Sequence, residues 1–240
     1  MKAIVTGHTR GLGAAIARDL MWRGIPVLGV ARGHSGELEA AFPELLTQAA
    51  VDLANPLALQ DWLATENLRD FLDGCSLALL VNNAGTVQPV GAPGDQDPAQ
   101  VAMAVGLNVS APLVLSAAVS TLQQSQSCRI LHVSSGAGRN AYAGWSVYCA
   151  TKAALDHHAR SVALDAAAGV RICSLAPGII DTDMQAEIRA TPEERFPLRA
   201  RFVDLKQAGQ LSAPADCASH VVNYLLSPSF GTQPVDDLRD

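Results

Sequence analysis

The chain has 240 residues, of which 49% are hydrophobic and 17% charged, and a net charge of −6. That is enough apolar material for one sizeable core, at a length that suits a single large α/β domain. The acidic balance argues against a nucleic-acid or anionic-membrane surface, so basic residues carry meaning singly rather than as a patch. The five cysteines (Cys75, Cys128, Cys149, Cys173, Cys217) show neither a C-x-x-C pair nor zinc spacing. They are expected as free, mostly buried thiols of a cytoplasmic protein, with no metal site. No apolar run of about 20 residues stands out, so no membrane span is expected.

The first run, KAIVT, reads as a buried parallel strand that begins without a signal peptide. It leads into GHTRGLG, with Gly7, Gly11 and Gly13 spaced G-x-x-x-G-x-G, and then into the helical AAIARDLMWRG. Strand, glycine turn and helix N-terminus form the phosphate-binding unit of a dinucleotide fold. The second strand, IPVLGVAR, ends at Arg32 and offers no acidic residue for a ribose 2′-hydroxyl. Arg32, with Arg10 in the glycine turn, instead suits a 2′-phosphate, which points to NADPH rather than NADH. AAVDL reads as a short third strand with Asp52 at its tip, either beside an adenine amino group or as a loop cap. LALQDWLATENLRDFL has helical period, and SLALLVNNAG is a fourth strand running into the turn Asn82-Asn83-Ala84-Gly85.

TVQPVGAPGDQDPAQ reads as a loop over the carboxyl edge of the sheet. The helix after it carries Asn108 inside an apolar run, either as a satisfied core amide or at a kink that frees a backbone carbonyl. RILHVSS is a strand ending at Ser135. Thirteen residues beyond that serine comes Tyr148, then Lys152 four further on, in a helix rich in alanine and leucine. Residues four apart share a helix face. Moving a phenol from about 10 to neutrality takes roughly 4 kcal/mol, about what a lysine charge ~4 Å away supplies in a surface cleft. The pair is therefore suited to passing a proton. Cys149 lacks a base and is read as packing, and His157 and His158 as solvent or interface contacts. VRICSLAP is a sixth strand ending in Pro177-Gly178-Ile179-Ile180-Asp181-Thr182. The charged stretch at about 183–211 reads as a mobile lid, PADCASHVVNYLLS as a last helix, and FGTQPVDDLRD as a closing strand or tail.

Seven elements in order resemble the short-chain dehydrogenase/reductase family along essentially the whole chain: TGHTRGLG, Asp52, NNAG, Asn108, Ser135, Tyr148-x-x-x-Lys152 and PGIIDT. The resemblance implies a single-domain α/β fold, a doubly wound (Rossmann-type), mostly parallel sheet with helices on both faces. It implies Tyr148 as acid/base, Lys152 as its modulator and ribose ligand, Ser135 on the substrate carbonyl, and Asn108 holding a relay water. Cofactor contacts would fall on Gly7, Thr9, Arg10, Gly11, Leu12, Gly13, Arg32, Asp52, Leu53, Asn83, Ala84, Gly85, Tyr148, Lys152, Pro177, Gly178, Ile180 and Thr182. DTDMQAEIR, LKQAGQL and the closing FGTQPVDDLRD are most similar to the sepiapterin reductase and benzil reductase types. That likeness implies an NADPH-dependent reductase of a small ketone or diketone. Topology places Trp145, Met184 and the loop near Val87–Pro93 at the pocket. A pterin-binding carboxylate would be Asp236 or Asp237. A homodimer through the two long helices is expected, with a tetramer as the alternative. An NAD-linked alcohol dehydrogenase working oxidatively, or a catalytically silent cofactor-binding regulator, stays open.

Overall fold

The structure, a computed structural model, describes residues 1–123 and 126–239. Seven strands form one parallel sheet: β1 (Lys2–Thr6), β2 (Val27–Ala31), β3 (Leu46–Ala50), β4 (Leu77–Asn82), β5 (Ser127–Val133), β6 (Val170–Ala176) and β7 (Val235–Asp237). Their spatial order is β3-β2-β1-β4-β5-β6-β7. Both faces are covered, which is why the central strands are apolar almost without interruption. Alternate residues serve the two layers. Ala3, Val5, Leu79, Val81, Leu131, Cys173 and Leu175 pack under α1 (Gly11–Trp22) and α10 (Pro214–Leu226). Ile4, Leu28, Leu80, Ile130 and Ile172 face the other way. They meet α3 (Pro56–Leu63), α4 (Asn67–Leu72), α6 (Ala111–Leu122) and α7 (Ser146–Asp165). The short α2 (Gly36–Ala41) follows β2, its first turn capped by the Ser35 hydroxyl.

The chain steps from β1 to β2 and β3 in one direction, then returns to β4 on the other side of β1. The loops leaving β1 and β4 therefore diverge at the carboxyl edge and open a crevice, the usual ligand position in such sheets. α5 (Pro98–Val105), a π-helical turn (Gly106–Ser110) and α6 run on as one helix beside it.

Two expectations are corrected and one alternative is decided. The third strand is Leu46–Ala50, not AAVDL. It is an edge strand whose exposed Thr47 and half-buried Gln48 hide it from a search for apolar runs. Of the two readings of FGTQPVDDLRD, closing strand or tail, the strand holds: β7 pairs in parallel with β6. The helix Pro98–Leu122 is long and apolar enough to cross a membrane by length and composition, with a mean hydropathy of 1.8. Here Ala111, Leu115 and Val119 lay one face of it on the sheet.

Candidate active site

Three turns build the crevice. Thr6 ends β1, and its hydroxyl accepts the backbone N–H groups of Asn83 and Ala84 at 2.9 and 3.0 Å. Asn83 in turn donates to the carbonyls of Thr6 (2.9 Å) and Gly7 (3.3 Å). Its side chain, expected at a cofactor, is used to fasten the two turns together. Gly7 and Gly11 hold φ of +69° and +56°, where a side chain is strained. A Cβ on Gly13 would lie 2.2 Å from the Gly7 carbonyl oxygen, so only glycine lets α1 start this close to β1. Arg10 caps α1 without a side-chain hydrogen bond, which leaves the first-turn N–H groups without a side-chain acceptor. Such a set of donors suits a pyrophosphate.

The third turn, Pro177–Thr182, closes on the first: the Thr182 methyl sits 3.4 Å from where a Cβ of Gly11 would be. Gly178 has φ +87°, and Ile180 is buried in the core beneath. Arg32, exposed just past β2, has no partner among the described residues. Arg10 pairs at 3.1 Å with Asp183, both side chains largely in solvent. Asp52 takes the loop-cap role, accepting the N–H of Ala54 at 3.0 Å. The side chains of Leu12 and Leu53 go into the core, leaving their backbones for any ligand. Thr9 and Ala84 are half-buried at the turns.

Of the four expected catalytic residues, Asn108 and Lys152 meet beside Gly85, and Tyr148 stands next to Lys152. α7 buries a face carrying Tyr148, Thr151, Lys152 and Asp156. Lys152 donates from Nζ to the Val133 carbonyl at 2.8 Å and lies 5.7 Å from the centroid of the Tyr148 ring. Ser135 starts a short turn, Gly136–Gly138, with its hydroxyl accepting the N–H of Ala137 at 3.2 Å. A Cβ on Gly85 would stand 3.2 Å from Asn108 Oδ1 and 3.7 Å from Lys152 Nζ, so glycine keeps this approach open. Asn108 is a satisfied core amide, the first of the two alternatives raised by its sequence. Its amide donates to Thr86 O (2.8 Å) and Thr151 Oγ1 (3.1 Å) and accepts from Thr86 N (2.9 Å). The helix around it is also loosened into the π turn, where the regular carbonyl ladder breaks.

One electrostatic expectation changes. Burial pushes the Tyr148 phenol up to about 12, with the Ser135 hydroxyl working in the opposite direction. Burial also brings Lys152 down to about 8, opposed by the nearby Asp156 carboxylate. Taking the phenolate out of water outweighs the neighbouring lysine, whose ammonium lies against the ring and is bound to a carbonyl. Burial likewise raises the Cys149 thiol, and its sulfur lies 3.6 Å from the Asn140 carbonyl oxygen, which fits packing.

Trp145 stands edge-on to Tyr148 at 5.3 Å and stacks on Phe196 at 4.5 Å, with Phe202 at 5.4 Å. Ile188, Phe196 and Phe202 come from the charged segment at about 183–211, which forms α8 (Asp183–Ala190) and α9 (Arg199–Gln207). These anchors were missed because single aromatics in a charged stretch show no period. Met184 and Val87 join the same cluster. Neither terminal carboxylate is idle. Asp237 pairs with Arg239 (2.6 Å) and Arg139 (3.5 Å), and Asp236 accepts the N–H of Asp237 at 2.9 Å. His157 is exposed as expected, but His158 turns inward and meets His132 at 3.0 Å.

A seven-strand doubly wound sheet opening such a crevice is the fold of a class of oxidoreductase, and the chain belongs to that class. The model of the short chain dehydrogenase family matches residues 1–193, which makes the protein a short-chain dehydrogenase/reductase. Among curated relatives it is 34% identical to a benzil reductase, (S)-benzoin forming, of Bacillus cereus, over 95% of this chain and 94% of the relative. It is 33% identical to sepiapterin reductase of Meriones unguiculatus, over 99% and 95%. Among solved structures it resembles a short-chain dehydrogenase/reductase from Burkholderia vietnamiensis, at 50% identity and TM-score 0.73, covering 100% and 97%. A short chain dehydrogenase from Burkholderia cenocepacia in complex with NADP matches at 26% identity and TM-score 0.76, covering 98% and 94%.

Proposed function

We propose that this enzyme is an NADPH-dependent carbonyl reductase acting on ketones or diketones, with Tyr148 as proton donor. The observation that carries this reading is that Asn108 and Lys152 converge beside Gly85, with the Tyr148 ring 5.7 Å from Lys152 Nζ and the Ser135 hydroxyl acting on the phenol. The glycine cradle fits a dinucleotide, and NADPH supplies the hydride when bound. Arg32, with no competing partner among the described residues, suits a 2′-phosphate. Arg10 suits it too once released from Asp183. The NADP complex of the Burkholderia cenocepacia relative agrees with that preference.

Tyr148 gives its proton to the carbonyl oxygen as negative charge develops there, and Ser135 donates a hydrogen bond to the same oxygen. Lys152 balances the phenolate that results. Asn108 holds the neighbouring loop at Thr86, so that a solvent proton can return along the edge of the helix. Trp145, Met184 and Val87 supply an apolar, aromatic wall suited to an aryl ketone. The likeness to a benzil reductase and a sepiapterin reductase favours adjacent carbonyls as the substrate class. Loss of NADPH absorbance with benzil, sepiapterin, quinones and simple aryl ketones tests the reading. Turnover of none of these, with NADPH bound, would leave a silent regulator as the better account.

We also infer a cytoplasmic homodimer. All five cysteines are free. Met103, Val105 and Val114 leave apolar side chains exposed on the α5–α6 helix, as does Leu164 on α7. A monomer by light scattering at micromolar concentration would contradict the dimer.

A further inference from the structure

Asp156 lies on α7 one turn past Lys152 and is only 1% exposed. A buried carboxylate is costly unless every oxygen is matched, so its partners are informative. Oδ1 accepts the hydroxyls of Ser134 and Ser174, each at 2.7 Å. Oδ2 accepts Arg139 Nε at 3.3 Å. Ser134 precedes Ser135, and Arg139 follows the turn that Ser135 begins. The turn itself presses on α7: a Cβ on Gly138 would stand 3.0 Å from both Asp156 Oδ2 and the Lys152 carbonyl carbon. Arg139 reaches on to Asp237 at the end of β7.

We propose that Asp156 is a positioning residue of this site: its carboxylate clips both flanks of Ser135 to the helix that carries Tyr148 and Lys152, and places a negative charge one helical turn from the lysine. The assignment rests on the reductase reading above. Two serines and one arginine, from just past β5, from β6 and from just past the turn that Ser135 begins, converge on this group. An aspartate whose only purpose was helix packing would be replaceable by an apolar residue with little change in the neighbouring site. The titratable or charged groups about the pair are Tyr148 on α7, His132 on β5, Cys173 on β6, Arg139, and Asp236 and Asp237 on β7. His132 is held neutral, its pKa lowered by burial to about 3, and Cys173 stays a thiol. Asp156 is the carboxylate that acts on Lys152, raising its pKa against the effect of burial.

The test is kcat against pH for wild type, Asp156→Asn and Arg139→Gln, with saturating NADPH and benzil, beside NADPH binding by fluorescence. Asp156→Asn is expected to lower kcat by about 10- to 100-fold through misplacement of Ser135. Its alkaline limb, where Lys152 loses its proton, is expected to move down by roughly one pH unit, with NADPH still bound. Arg139→Gln leaves the carboxylate less neutralised, so the same limb is expected to move up. Opposite shifts support the assignment. Unchanged limbs in both variants, or a drop in melting temperature alone, would overturn it. Should Asp156→Asn fail to fold, the Arg139→Gln limb decides. Should the wild type turn over no carbonyl, the reductase reading falls, and NMR titration of nitrogen-labelled lysine still decides the role of Asp156. Lys152 must then titrate higher in Arg139→Gln than in wild type.

Discussion

Replacing Gly13 by alanine puts the closeness of α1 to β1 to a direct test. The new methyl carbon would sit 2.2 Å from the Gly7 carbonyl oxygen and 2.4 Å from Asn83 Nδ2. Both are roughly 1 Å or more inside van der Waals contact. Neither neighbour is the loose end of a flexible chain, since Asn83 is pinned to the carbonyls of Thr6 and Gly7. Overpacking together with disturbance of those two hydrogen bonds costs roughly 2–5 kcal/mol. For a chain of this size that is a fall in Tm of roughly 5–15 °C. Because the turn that must move is the proposed pyrophosphate cradle, NADPH affinity is expected to fall as well. Thermal melts and fluorescence titration measure both. Gly36→Ala is the control, since nothing lies within 4 Å of where its methyl carbon would stand, and it should stay within about 0.5 kcal/mol of wild type. A Gly13→Ala protein that melts and binds NADPH like the wild type would refute the tight-cradle argument.

Two further outcomes follow from the same geometry. Arg32→Ala removes one charge-assisted phosphate contact of roughly 1.5–3 kcal/mol, so NADPH affinity should drop about 10- to 100-fold while NADH binding barely changes. Equal losses for both would remove Arg32 from the 2′-phosphate site. Lys152→Met should abolish turnover yet stabilise the fold. The lysine's pKa is lowered from 10.5 to about 8, so the unfolded chain holds the extra proton between those values and wild-type stability rises with pH across that window. Below it the buried ammonium costs roughly 3 kcal/mol, offset by about 1 kcal/mol from its bond to the Val133 carbonyl. The variant should therefore be about 2 kcal/mol more stable at neutral pH, with the gap shrinking above the folded pKa. Denaturant melts at neutral and alkaline pH check this, and a gap of opposite sign would contradict it.

Features written in a few adjacent residues were legible in the sequence: the glycine turn, the Tyr148–Lys152 spacing, the strands buried on both faces. Each is dictated by local backbone geometry or by a repeating period. What stayed hidden depends on partners far along the chain. Phe196 and Phe202 look like stray aromatics until they are found packed on Trp145 and on each other. His158 resembles a surface residue until His132, on β5, is found behind it. Asp156 reads as one polar position among many on α7, because the serines that bury it lie on two other segments. β3 escaped because an edge strand carries no continuous apolar signal. The lowering of the Tyr148 pKa expected from charge alone failed for a related reason: the helical spacing of two residues says nothing about how deeply both are buried.

The most direct measurement is single-turnover and steady-state reduction of benzil by Tyr148→Phe, with NADPH binding followed in the same samples. Removing only the phenolic oxygen should cut the rate by about 10²- to 10⁴-fold and leave the NADPH dissociation constant close to wild type. A variant that reduces the diketone at the wild-type rate would show that the proton comes from somewhere other than α7.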